Sequence, residues 1–131
     1  MRVLLLPVGE ETYAVDMAAA REVVAAPDLT RLPGAPSTLM GVFNLRGEIV
    51  PVFDTATLLG IGTAQPTFVA VIETASGPAG LAMTAMGASV DLSVPVGDTE
   101  TPGTCGSFAF ADRLVVLIDL EALLAPARLH G

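Results

Sequence analysis

The sequence predicts an all-β fold of the sandwich or barrel class, built as two similar lobes. Three observations carry this. Thirteen Gly and ten Pro punctuate the 131 residues, and the apolar runs between them are short. Those runs are rich in Val, Ile, Leu and Phe, whereas helix signals are weaker. The pattern also repeats at a spacing of 65 residues, about half the chain, which points to two units and not to a solenoid of many.

The elements follow in order. Arg2–Val8, Thr12–Asp16 and Glu22–Ala26 read as strands, with Asp16–Arg21 as a turn of helix before the third. Gly41–Leu45 and Glu48–Phe53 read as a hairpin. Gly47 supplies the left-handed conformation that closes its short loop, and Arg46 projects from the tip. Pro51 cannot donate a ladder hydrogen bond, which places its strand at an edge or at a bend. Asp54 caps a short helix over Thr55–Leu59, ended near Gly60. Gly60–Pro66 is the join between the two copies. Thr67–Glu73, Gly80–Thr84, Ser89–Val94 and Arg113–Asp119 are the later strands, and Asp119 caps a helix over Leu120–Leu124, ended near Pro126. Pro95–Gly106, with Asp98, Glu100 and two prolines, reads as an exposed, mobile loop. In the repeat, Gly41 maps to Gly106, Phe43 to Phe108, Ile49-Val50 to Leu114-Val115, and Asp54 to Asp119.

Composition narrows the function. Hydrophobic residues make up 52% and charged residues 15%, which argues against disorder and for one ordinary domain. Six Lys+Arg, all arginine, stand against 14 Asp+Glu, for a net charge of -8. No nucleic-acid groove or anionic membrane surface is expected from that balance. The single Cys105 excludes an internal disulfide and any multi-cysteine metal site, and no neighbouring cation activates its thiol. The single His130, next to the last residue, removes triads that use an internal histidine. Without lysine there is neither a P-loop nor a Schiff base. No catalytic residue, metal site or cofactor is expected. No apolar segment reaches the roughly 18 residues of a membrane helix, so the expected protein is soluble and cytoplasmic, with no direct membrane insertion.

The stretch Arg31-Leu32-Pro33, Ala35-Pro36, Gly41-Val42-Phe43-Asn44-Leu45-Arg46-Gly47 and Ile49-Val50-Pro51-Val52-Phe53-Asp54, closing on Leu58-Leu59-Gly60, resembles the CheW-like family of bacterial chemotaxis adaptors. Gly9, Tyr13-Ala14-Val15-Asp16 and Glu22-Val23 match upstream, and Gly106 with Arg113–Asp119 match downstream. The resemblance covers nearly the whole chain. It implies two five-stranded SH3-like β-barrels side by side with short helices, in a single domain over 1–131. The lobes would span about 10–65 and 66–120, with terminal segments crossing between them. It implies no catalysis. Such proteins couple the cytoplasmic tips of methyl-accepting chemoreceptors to a CheA-type histidine kinase, whose regulatory domain pairs with the adaptor barrel to barrel. Leu81–Gly87 departs from the family pattern, with Thr84 where an acid is usual.

The site residues follow from both readings. A solvated arginine at a turn is the plain account of Arg46, but the NLRG match implies partner contact, for which a planar guanidinium is suited. In the family an acid at the position of Glu22 lies close to that arginine, so Glu22 is expected to pair with Arg46 and share the receptor surface. Asn44 supports the turn and borders the same surface. Ala20 and Val23, with Val24, lie on the strand leading to Arg31. One side of that strand fills the barrel and the other exposes small apolar groups to a partner, and the spacing leaves open which is which. Tyr13 is expected to pack in the first barrel, and Met83 and Met86 in the core. Three other readings stand beside the adaptor. They are a module of this family wired to another two-component or pilus-motility pathway, a small β-barrel enzyme using carboxylates, and a self-associating structural protein.

Overall fold

The computed structural model describes residues 1–63 and 65–125. These residues form eleven strands and two helices of four residues each. The strands are β1 (Arg2–Val8), β2 (Glu11–Asp16), β3 (Ala20–Ala25), β4 (Leu39–Leu45) and β5 (Glu48–Phe53), then β6 (Phe68–Thr74), β7 (Gly77–Met83), β8 (Ser89–Asp91), β9 (Pro95–Gly97), β10 (Thr104–Phe110) and β11 (Arg113–Ile118). Helix α1 is Thr55–Leu58 and α2 is Leu120–Leu123. The strands make two sheets, in the orders β8-β1-β2-β11-β10-β9 and β3-β6-β7-β5-β4. The all-β, two-lobed architecture predicted from the sequence is the one observed.

The six-stranded sheet is a five-stranded barrel in disguise. Its two edge strands, β8 and β9, are one chain segment bent at Leu92–Val94. Leu92 still bonds the β1 side, donating its N–H to Met1 O at 2.8 Å, and Val94 O already accepts the Ala109 N–H from β10 at 2.9 Å. One bent strand therefore pairs at both edges and closes the sheet. The five-stranded sheet closes the same way. The chain leaving β3 bends back so that Thr30 and Val42 of β4 exchange two N–H···O bonds of 2.9 Å. Gly41 makes that approach possible: a Cβ there would lie 2.8 Å from Thr30 O.

Strand pairing corrects the expected lobe boundaries. The 65-residue repeat is exact in the elements: β4, β5 and α1 return as β10, β11 and α2. Yet the hairpin β6–β7, which belongs to the second copy, pairs with β3 and β5 of the first, and β7 runs parallel to β5 through Val52↔Gly80. Hairpin β1–β2 of the first copy pairs with β8 and β11 of the second, through the parallel register Val115↔Thr12. The copies have exchanged hairpins. The middle lobe is thus contiguous, from Ala20 to Met83, and the terminal lobe combines 2–16 with 89–118. A division at 65/66 would cut the middle sheet in two.

The exchanged hairpins are apolar on both faces, and this is why they read as near-continuous hydrophobic runs. In β2, Ala14 fills the terminal barrel with Val3, Leu92, Val115 and Leu117. Its neighbours Tyr13 and Val15 face the other way. In β6, Val69 and Val71 fill the middle barrel, while Ala70 and Ile72 face out of it. The outward sets meet in the largest buried cluster, which joins Leu4, Leu6, Val8, Tyr13 and Val15 to Ile72, Leu81 and Met83. The two barrels share one seam. Tyr13 packs in that seam and not inside a barrel, and burial pushes its phenol up, helped by Glu11.

Four further expectations are corrected. Pro51 lies in β5, which has a neighbour on each side. The Val42 backbone faces Thr30, so Pro51 opposite it turns its nitrogen away from β4 and toward β7, whose pairing with β5 begins only at Val52. Its missing donor therefore costs no ladder bond. The loop expected over Pro95–Gly106 contains β9, held by β10 through Ser107↔Gly97 and Phe108↔Pro95. Met86 is exposed, whereas Met83 is buried. Asp16–Arg21 is a hydrogen-bonded turn running into β3, whose Ala18 N–H donates to Asp16 Oδ1 at 2.9 Å. Asp54 and Asp119 do cap α1 and α2, accepting from the Thr57 and Ala122 N–H groups. His130 and the helix end near Pro126 lie outside the described residues.

Candidate functional site

The β4–β5 turn has Arg46 and Gly47 as its two central residues, with Leu45 paired to Glu48. Both are left-handed, at φ +50° and +92°. Two positive values are what a two-residue primed turn needs to match strand twist. Asn44 Oδ1 accepts the Gly47 N–H at 2.9 Å and fixes that geometry. Asn44, itself exposed, commits its amide oxygen to the turn, and Arg46 projects beside it with its side chain 64% exposed.

Glu22 reaches the turn from β3. Barrel closure through Thr30 carries β3 past β4, and the two side chains meet as the sequence predicts. Arg46 Nη1 donates to Glu22 Oε1 at 3.2 Å, and Nη2 donates to Oε2 in a second, shorter contact. This is the parallel two-bond match of guanidinium and carboxylate. The Arg46 hydrogen bond holds the Glu22 carboxyl below its ordinary value, against a push from burial and with added attraction from Arg46 and Arg21. The Glu22 bond in turn raises Arg46.

A second ion-paired group adjoins the first, and sequence reasoning did not find it. Arg21 Nη1 donates to Glu73 Oε1 at 2.9 Å, and its Nη2 donates to Glu48 Oε1. The Glu48 carboxyl is lowered chiefly by that bond from Arg21. Arg21 and Glu22 are adjacent, so a regular strand would send them to opposite faces. Register shifts between Ala20↔Ile72 and Glu22↔Val71, leaving Arg21 as the extra residue of a bulge. A bulge re-aims side chains in this way. The available signal was an arginine beside Glu22 and an acid just after the turn. The register that joins them is set by the non-local β3–β6 pairing.

The apolar candidates are sorted by the same strand. Val24 packs inside the middle barrel. Ala20 and Val23 are half-buried against the seam cluster, so neither is a bare contact on an open face. Thr84 has a structural place: its Oγ1 accepts the Gly9 N–H at 2.9 Å, and its N–H donates to Pro7 O at 2.9 Å, tying the end of β7 to the tip of hairpin β1–β2. Cys105 is exposed as a residue, yet partial desolvation of its thiol, with the nearby Asp119 charge, raises it. Among the described residues no cluster of three or more His, Cys, Asp or Glu is placed to hold a metal ion, and no helix is long and apolar enough to cross a membrane.

Comparison with known proteins agrees with this geometry. A family model described as a CheW-like domain matches residues 2–128. A protein of Rhizobium etli named as a probable chemotaxis protein CheW is 28% identical over 129 residues, covering 90% of this chain and 83% of that one. The chemotaxis protein CheW of Rhizobium meliloti is 29% identical over 127 residues, covering 88% and 82%. The fold is similar to the crystal structure of the scaffolding protein TtCheW from Thermoanaerobacter tengcongensis, with a TM-score of 0.83, 24% identity, and coverage of 93% of this chain and 86% of that one.

Proposed function

The chain belongs to the CheW-like domain family, and from that premise we propose that it is a non-enzymatic chemotaxis scaffold joining receptor tips to a CheA-type histidine kinase. The scaffold role in chemotaxis follows from the family and from relatives that align over most of their length. The finer reading is carried by one observation: a paired Glu22 and Arg46 presented at the tip of a rigid hairpin. A preorganised pair on a closed barrel offers a partner a fixed charge pattern at little ordering cost. Asn44 contributes by holding the turn. The half-buried Ala20 and Val23 border the same strand and would be covered by a partner helix lying along it. The protein would work in the cytoplasm, where receptor tips and kinase meet, with no cofactor and no chemistry of its own.

The test is capture from native lysate with tagged wild type and Arg46→Glu, after melting curves have shown both to be folded. Wild type is expected to bring down a chemoreceptor and a histidine kinase, and Arg46→Glu to lose the receptor while keeping the kinase. Capture of neither by wild type would restrict the family resemblance to fold.

A further inference from the structure

The charges around the turn form two adjoining groups: Glu73 and Glu48 on Arg21, and Arg46 on Glu22. Glu48 is the pivotal member. It follows the turn directly and is paired across it with Leu45, so it sits two residues from Arg46. The structure nevertheless turns its carboxylate to Arg21. Arg21 can hold it because the bulge sets Arg21 between two acids, one guanidinium nitrogen bonded to each, with its side chain only 29% exposed. Glu48 and Arg46 still feel each other: each shifts the other's titration in the direction of attraction. Released from Arg21, Glu48 would be left with Arg46, already paired to Glu22, as the other cation acting on it.

We infer that Arg21 is a positioning residue of the partner surface: by holding Glu48 it keeps that carboxylate off Arg46, leaving the Arg46 guanidinium to Glu22 and an incoming partner. This rests on the adaptor reading above, in which Arg46 meets the receptor. A guanidinium carries five N–H donors. Glu22 takes one N–H from each terminal nitrogen of Arg46, and the remaining donors, on a side chain 64% exposed, leave an edge for an acceptor on the partner. A second carboxylate drawn onto Arg46 would close that edge and add a negative charge where the partner must dock.

The test uses the folded full chain and a soluble chemoreceptor tip, with Arg21→Gln, Glu48→Gln, the double variant and Arg46→Glu. Arg21→Gln is expected to weaken binding by about threefold or more, as for an exposed charged pair. The double variant is expected to return to within about twofold of wild type, because the carboxylate that closed Arg46 is gone. Loss of packing at Arg21 would not be repaired by a change at Glu48, so the rescue separates positioning from structure. Wild-type affinity in Arg21→Gln, or a double variant as weak as that single, overturns the inference. A partner-free readout keeps the two readings apart. In an NMR titration, Arg46→Gln should shift the Glu48 carboxyl strongly in the Arg21→Gln background and weakly in the wild-type one. Equal shifts in both overturn the positioning role. If wild type binds no tip at all, the adaptor reading fails instead.

Discussion

Glu22 is where one side chain reports most directly on the site. Its carboxyl is held below the ordinary value of 4.5 because the ionised form accepts hydrogen bonds from Arg46. A folded-state value below the unfolded one means the pair contributes above pH 4.5 and is lost as pH falls through the lowered value. A 13C NMR titration of the Glu22 carboxyl should therefore have its midpoint below 4.5, and Arg46→Gln should move it upward. An unmoved midpoint would mean that the pair does not persist in solution. The turn beneath Arg46 is kept by backbone conformation and the Asn44 side-chain amide, and not by charge. Its counterpart in the second copy, Ala111-Asp112, is also left-handed, at φ +50° and +61°, with no glycine at all. That second turn was legible only through the repeat, because alanine does not announce positive φ and aspartate does so weakly. Gly47 announced the first.

At the scale of elements, the two β-hairpins compare the same design in two settings. Gly41 and Gly106 occupy equivalent bulges, at φ +154° and +143°. A Cβ on Gly41 would meet Thr30 O at 2.8 Å and the Leu29 Cβ at 2.9 Å, whereas one on Gly106 meets nothing closer than Gly97 O at 3.9 Å. Gly41→Ala should therefore cost about 1–3 kcal/mol through steric displacement of the closing strand, on top of backbone strain. Gly106→Ala should cost about 1 kcal/mol through strain alone. Urea midpoints of the two variants check the difference, and equal losses would show that the Thr30 bridge does not govern closure. Elements of this kind were read from sequence because their signals are local: a glycine turn, an aspartate cap, alternation of apolar residues. β9 and β10 were less legible. Their residues, among them Pro95, Gly97 and Gly106, carry weak strand propensity, and the pairing of β10 with β9 and β11 is what makes them strands.

For the molecule as a whole, the repeat was visible in the sequence and its consequence was not. A direct repeat reads as two self-contained halves, and the cross-copy pairings β3–β6, β5–β7, β1–β8 and β11–β2 reveal the exchange. The seam joins both lobes in one buried cluster. Ile72 is fully buried there, and Ile72→Ala should cost about 2–5 kcal/mol. Hydrogen exchange should show β4–β5 and β10–β11 losing protection together, in one transition. Separate openings of the two lobes would refute a shared core. The exchange also has a meaning in time. A chain made from its amino end completes hairpin β1–β2 first, yet its sheet neighbours begin only at Ser89 and Arg113. At typical synthesis rates the wait is on the order of 5–20 s. Through that interval the hairpin carries apolar side chains on both faces. The middle lobe, finished at Met83, meanwhile offers the seam surface on which one of those faces comes to rest. During synthesis, then, one barrel serves as the holding template for a piece of the other.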